Sequence, residues 1–215
     1  LKVMAGPASE DPMSLALGPA RKWPIKELKI AWCMTPGGAP VATEIAAALA
    51  PLRDTLVNLG AHVSEADPDL RFMLNAHQTC RDWSARLEIG PNWQEDFDLF
   101  GPELQRTLLR AEKLSLADLE QAIHARHRGW ERMQAFFSLY DVCVWPSNSQ
   151  LPYGAEADVA ALDLDETATL VTPLLGLPAL SVPFGMASTA RPASVQFIGP
   201  RHSDLDLLHL AAAVT

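Results

Sequence analysis

The sequence predicts an α/β protein, and three observations carry that prediction. Short apolar segments bounded by Pro and Gly read as buried strands, a stretch of helical period separates the first two, and long helical segments precede the third. A chain of 215 residues with 48% hydrophobic and 20% charged side chains can bury a sizeable core. Strand, helix, strand is the unit of sheets whose strands run parallel with a right-handed crossover.

Residues 1–24 read as a connecting loop, because Pro7, Pro12, Pro19 and Pro24 with Gly6 and Gly18 break regular structure, and residues 25–215 form the α/β body. Leu28 to Cys33 is the first strand, closed by Thr35-Pro36-Gly37-Gly38. From Val41 to Leu59, Ile45, Leu49, Leu52, Leu56 and Leu59 recur at steps of four and three, the spacing of one helical face. Pro51 is an awkward interior guest that removes a hydrogen bond, so a kink or a break is expected there. Gly60 stops the helix and Ala61 to Ser64 begins a second strand.

The span from Asp69 to Tyr140 reads as mostly helical, interrupted at Gly90-Pro91 and Gly101-Pro102. Ser115 to Asp118 has the form of a capping box, with Leu116, Leu119, Ile123, Trp130, Met133 and Phe137 following on one face. Val142 to Trp145 is a third strand ending at Pro146. A short helix near Asp163 to Leu175, strands at Ala179 to Val182 and Val195 to Ile198, and a helix from Ser203 to Val214, N-capped by Ser203, complete the chain.

Composition excludes several functions. The balance of 17 basic against 26 acidic side chains gives −9, which disfavours nucleic acid as a partner. No apolar run approaches the ~20 residues of a membrane helix, so no membrane partner is expected. Cys33, Cys80 and Cys143 lack metal-ligand spacing and read as three buried free thiols, the habit of a cytoplasmic protein. The start at Leu1 has neither an initiator Met nor the plan of a signal peptide.

Thr172-Pro173-Leu174-Leu175-Gly176-Leu177-Pro178-Ala179-Leu180-Ser181-Val182-Pro183, then Val195-Gln196-Phe197-Ile198-Gly199, then Asp204 with Leu207-Leu208, resembles the closing signature of the amidase-signature hydrolases. Leu59 to Val63 and Tyr140 to Pro146 agree with the same family. The resemblance implies a mixed-sheet fold with covering helices, of which this chain is the C-terminal portion. It also implies hydrolysis of a carbon–nitrogen amide bond by a Ser–cis-Ser–Lys arrangement, without metal or organic cofactor, acting on a small-molecule amide.

That arrangement is not found here: there is no Ser-Ser pair, and Lys2, Lys22, Lys26, Lys29 and Lys113 stand outside any such context. The expectation is therefore that the catalytic segment belongs to an N-terminal half that this chain partners, and that the chain alone is inactive. Trp145, Thr172 and Gly176 are the expected substrate-pocket residues, lying at strand ends or in the signature loop. Two of them depart from the family pattern, Thr172 standing for an Asn and Trp145 for a Thr; Ser194 stands for a Gly. No catalytic residue and no metal ligand is expected in this chain.

Other constellations are weaker. Ser147-Asn148-Ser149 and Ser181 have no Lys or His partner nearby in sequence, and turns or caps are the ordinary use of such serines. His124 and His127 lack an acidic third ligand. Glu156, Asp158, Asp163, Asp165 and Glu166 suit a solvated loop better than a cation site. A rival reading is a non-catalytic α/β binding module derived from an amidase.

Overall fold

The computed structural model describes residues 6–11, 14, 16, 19–21, 23–38, 40–154, 172–187 and 191–215. The acidic run from Glu156 to Glu166 lies outside them. Strands β1 (Lys29–Trp32) and β2 (His62–Glu65) flank helix α1 (Thr43–Asn58) and pair in parallel, as the crossover pattern predicts. Helices α2 (Leu74–Ile89), α3 (Pro102–Ala111) and α4 (Leu116–Phe137) lead to β3 (Val142–Pro146), which runs parallel to β1. Strands β4 (Ala179–Ala187) and β5 (Arg191–Ile198) join antiparallel, and α5 (Asp204–Val214) ends the chain. Among the described residues the sheet has five strands in the order β2-β1-β3-β5-β4, so it is mixed.

Side chains alternate between the two faces of a strand, and β3 is buried on both. Val142 and Val144 meet Leu49, Leu52 and Leu56 of α1 and Leu207 and Leu210 of α5. Cys143 and Trp145 meet Met133 and Phe136 of α4, with Leu175 and Leu177. The three α1 leucines are fully inaccessible; burial of such a side chain contributes about 2 kcal/mol each. Leu59, expected on the same face, is 39% exposed. Helix α1 runs unbroken through Pro51, whose ring faces solvent and whose carbonyl accepts a hydrogen bond from Thr55 Oγ1 at 2.9 Å.

Two sequence expectations about helices are corrected. Ser115 does form the capping box with Asp118, but Leu116 and Ile123 are 72% and 54% exposed. Of the expected face Met133 is buried and Trp130 and Phe137 are partly buried, and Ala122, Ala125, Gly129 and Phe136 complete the inner face. Small residues win there because the helix is closely approached: Ala122 and Ala125 pack on Ala76 of α2, and a Cβ on Gly129 would strike the Met73 sulfur. At α5, Ser203 makes no side-chain cap, since its hydroxyl donates to the Pro200 carbonyl at 2.7 Å.

Helix α2 is tied to α3 by a nearly buried Asp82, which accepts from Arg110 Nε at 2.8 Å and Nη2 at 2.9 Å and from Gln78 Nε2 at 2.7 Å. The two partners are unequal, Asp82 being 3% and Arg110 41% exposed. Removing the guanidinium strands a buried carboxylate, whereas removing the carboxylate leaves an arginine that reaches water. Arg110→Ala is expected to lower stability by about 3 kcal/mol in urea unfolding, and Asp82→Ala by clearly less.

The thiols are partly as expected. Cys33 and Cys143 are buried, while Cys80 is only half-buried, which corrects the reading of three buried thiols. Burial, reinforced by the Asp67 carboxylate, pushes the Cys33 thiol up to about 12, and burial pushes Cys143 well above the ordinary range. Burial also raises Cys80. A thiol with a raised pKa stays protonated and unreactive as pH rises through the ordinary cysteine range. A disulfide reagent at pH 8 is therefore expected to modify only Cys80 of these three in the native state, and all three after unfolding; rapid native modification of Cys33 would contradict the packing.

Candidate functional site

The C-terminal end of β3 carries the most organised polar group among the described residues. Trp145 lies opposite Gln196 of β5, and Gln196 lies opposite Ser181 of β4, so the three side chains form a row on one face of the sheet. The indole Nε1 of Trp145 donates to Gln196 Oε1 at 2.8 Å. Two residues on, Ser147 donates its backbone N–H to the Ser194 carbonyl at 2.9 Å, and its Oγ lies 2.6 Å from Ser181 Oγ. The sequence folds this way because Pro146 ends β3 while β4 and β5 continue beside it.

Cover over this row is uneven. Trp145 and Ser147 are buried, Gln196 is half-buried and Ser181 is exposed. On β4, Leu180 and Val182 turn to the α1 and α5 side, leaving Ala179, Ser181 and Pro183 exposed on the other. The face that α4 covers over β3 is thus open over β4. Its floor offers two hydroxyls and a carboxamide, groups that donate and accept hydrogen bonds to a neutral polar ligand such as an amide. Each serine hydroxyl has the other as its hydrogen-bond partner. Among the described residues neither bonds a lysine or histidine that would raise its nucleophilicity.

The three residues singled out from the sequence do not converge on one point. Trp145 belongs to the row. Thr172 is buried, and its carbonyl accepts from Leu177 N at 3.1 Å across the helical turn of residues 172–175. Gly176, with φ of 62°, precedes β4 at the end of the sheet where β3 begins, since Ala179 is level with Ile198 and Cys143. Its open side faces Arg201. Leu175 and Leu177, flanking Gly176, enter the same core as Trp145, so the turn is anchored near that strand. Gln196 and the pairing of Ser147 with Ser181 were not legible beforehand; the Val-Gln-Phe-Ile-Gly motif was visible, but which residue it opposes depends on register.

His124 and His127 are exposed, and no group of three or more His, Cys, Asp or Glu side chains is placed to hold a metal among the described residues. No helix among them is long and apolar enough to cross a membrane.

Comparison with known proteins agrees with this architecture. The Amidase family matches the chain over residues 1–208. An acylamidase of Rhodococcus erythropolis is 27% identical over 235 residues, covering 99% of this chain and 48% of the relative. A crystal structure of an amidase superposes with a TM-score of 0.79 at 19% identity, over 93% of this chain and 47% of the other. A variant of the allophanate hydrolase of Kluyveromyces lactis gives 0.77 at 24% identity, over 99% of this chain and 36% of the other. The chain therefore spans about half, or less, of the proteins it matches, and the mixed sheet is the fold they share. With the signature segments from Thr172 to Leu208 in order and the family matching nearly end to end, the chain belongs to the Amidase family.

Proposed function

We propose that this chain supplies one wall of the substrate cleft of an amide hydrolase whose Ser–cis-Ser–Lys machinery is carried by another part of the same protein. Its substrate is a small-molecule amide, and the name of the Rhodococcus relative, an acylamidase, points to an acyl amide. In that reaction a lysine takes a proton, through a bridging serine, from the serine that attacks the carbonyl carbon. The C–N bond then breaks as the amine leaves with a proton, and water hydrolyses the acyl ester. No metal or organic cofactor is required.

The observation that supports this reading most is the uncovered strip beside β4, in a chain of this family, holding polar groups without a base. Ser147 and Ser181 hydrogen-bond the amide, Gln196 adds a carboxamide to the floor, and Trp145 backs them as a rigid, desolvated surface. By this division of roles the chain alone, residues 1–215, is inactive.

The test is a panel of simple amides and anilides given to the full-length protein, to residues 1–215 alone, and to full-length Ser147→Ala and Ser181→Ala. Loss of one hydrogen bond to substrate costs about 1 kcal/mol, so each variant is expected to keep activity at kcat/KM lowered about fivefold to tenfold. Turnover by residues 1–215 alone, or collapse to background in either serine variant, contradicts the assignment. A full-length protein that hydrolyses no amide would instead favour a non-catalytic binding module.

A further inference from the structure

A second polar feature lies apart from the row of β3, β5 and β4. Arg126, His127 and Trp130 of α4, Leu175 and Arg201 line a cavity of about 260 Å³ at the sheet end where β4 begins. Arg201 follows β5, and its guanidinium lies 4.4 Å from the Trp130 ring centre. That contact holds the guanidinium against the ring, and among the described residues its N–H groups meet no carboxylate, so they remain available for the two parallel bonds with which arginine takes one. Arg126 is held independently, its Nε donating to the Leu174 carbonyl at 2.8 Å with its terminal nitrogens left over.

The charge here runs against the composition. The chain carries −9, and Arg81, Arg106, Arg110 and Arg132 each meet a carboxylate. Among the described residues Arg126 and Arg201 have no carboxylate partner, and no described carboxylate lines the cavity. Two guanidiniums, each pre-positioned by a different contact, thus share a small cavity with an aromatic ring and a leucine. The volume is slightly below the roughly 300 Å³ at which ordinary small-molecule pockets begin, which suits a compact ligand. The apolar wall of Trp130 and Leu175 has no use for a bare inorganic anion.

We propose that this cavity binds a small organic carboxylate, at a site separate from the amide strip and independent of the reading of that strip. The carboxylate lies between the edges of Arg201 and Arg126, and its apolar body lies on Trp130 and Leu175. The test uses full-length protein with ¹⁵N-indole-labelled tryptophan, the Trp130 signal being assigned by its loss in Trp130→Phe.

Benzoate is titrated against benzamide, its neutral counterpart, and against inorganic phosphate. The proposal expects a saturable shift of the Trp130 indole signal with benzoate only. It expects Arg201→Gln and Arg126→Gln each to weaken that binding about tenfold, the scale of one charge-assisted pair. Equal shifts with benzamide would make the site apolar, a shift with phosphate alone would make it a general anion site, and wild-type affinity in both arginine variants would remove the guanidiniums from it; any of these overturns the proposal. Because both arginines are exposed, the variants are expected to fold; should one not, the benzoate against benzamide comparison on the unaltered protein still decides.

Discussion

The burial of β3 on both faces is the constraint on which the other elements depend. A strand with Val142 and Val144 on one side and Cys143 and Trp145 on the other has no side that tolerates water, so both faces require an apolar layer. Helices α1 and α5 supply the first, and α4 with the leucines around Gly176 supplies the second. Neighbours on both edges also follow: β1 pairs with one edge in parallel and β5 with the other in antiparallel. Where β3 stops, at Pro146, polar side chains appear, with Ser147 still buried and its partner Ser181 on β4 exposed.

The two layers are unequal in extent, and this places the candidate site. The α1 and α5 layer reaches β4, where Gly185, with φ of 75°, lies so close that a Cβ would come within 2.5 Å of the Ala48 carbonyl oxygen. The α4 layer covers β1 and β3 but leaves Ser181 exposed. An edge strand leaves backbone N–H and C=O groups unpaired along its free side, and the chain spans about half the length of its relatives.

Much of this was legible in the sequence, for physical reasons that differ between elements. The β1-α1-β2 unit was clear because Ile45, Leu49, Leu52 and Leu56 keep a strict helical period between two apolar runs. Helix α4 was legible in its existence, its cap and the C-terminal part of its inward face at Trp130, Met133 and Phe137, but not in the N-terminal part of that face. Hydrophobicity draws attention to Leu116 and Ile123, whereas a close helix crossing selects Ala122, Ala125 and Gly129. Strands β4 and β5 extend beyond the expected Ala179 to Val182 and Val195 to Ile198, and a register shift between Pro183 and Met186 accommodates Pro183 and Gly185 within β4. Trp145 could be singled out from its place at a strand end. The pairing of Ser147 with Ser181 could not, since two residues 34 apart meet only once the order of β3, β5 and β4 is known.

The central claim is that this chain contributes binding surface and not the nucleophile. Labelling the full-length protein with a fluorophosphonate, which is attacked by an activated serine with loss of fluoride, and locating the adduct by peptide mass mapping tests it most directly. The account predicts a single adduct on a serine outside residues 1–215; an adduct on Ser147 or Ser181 would contradict it.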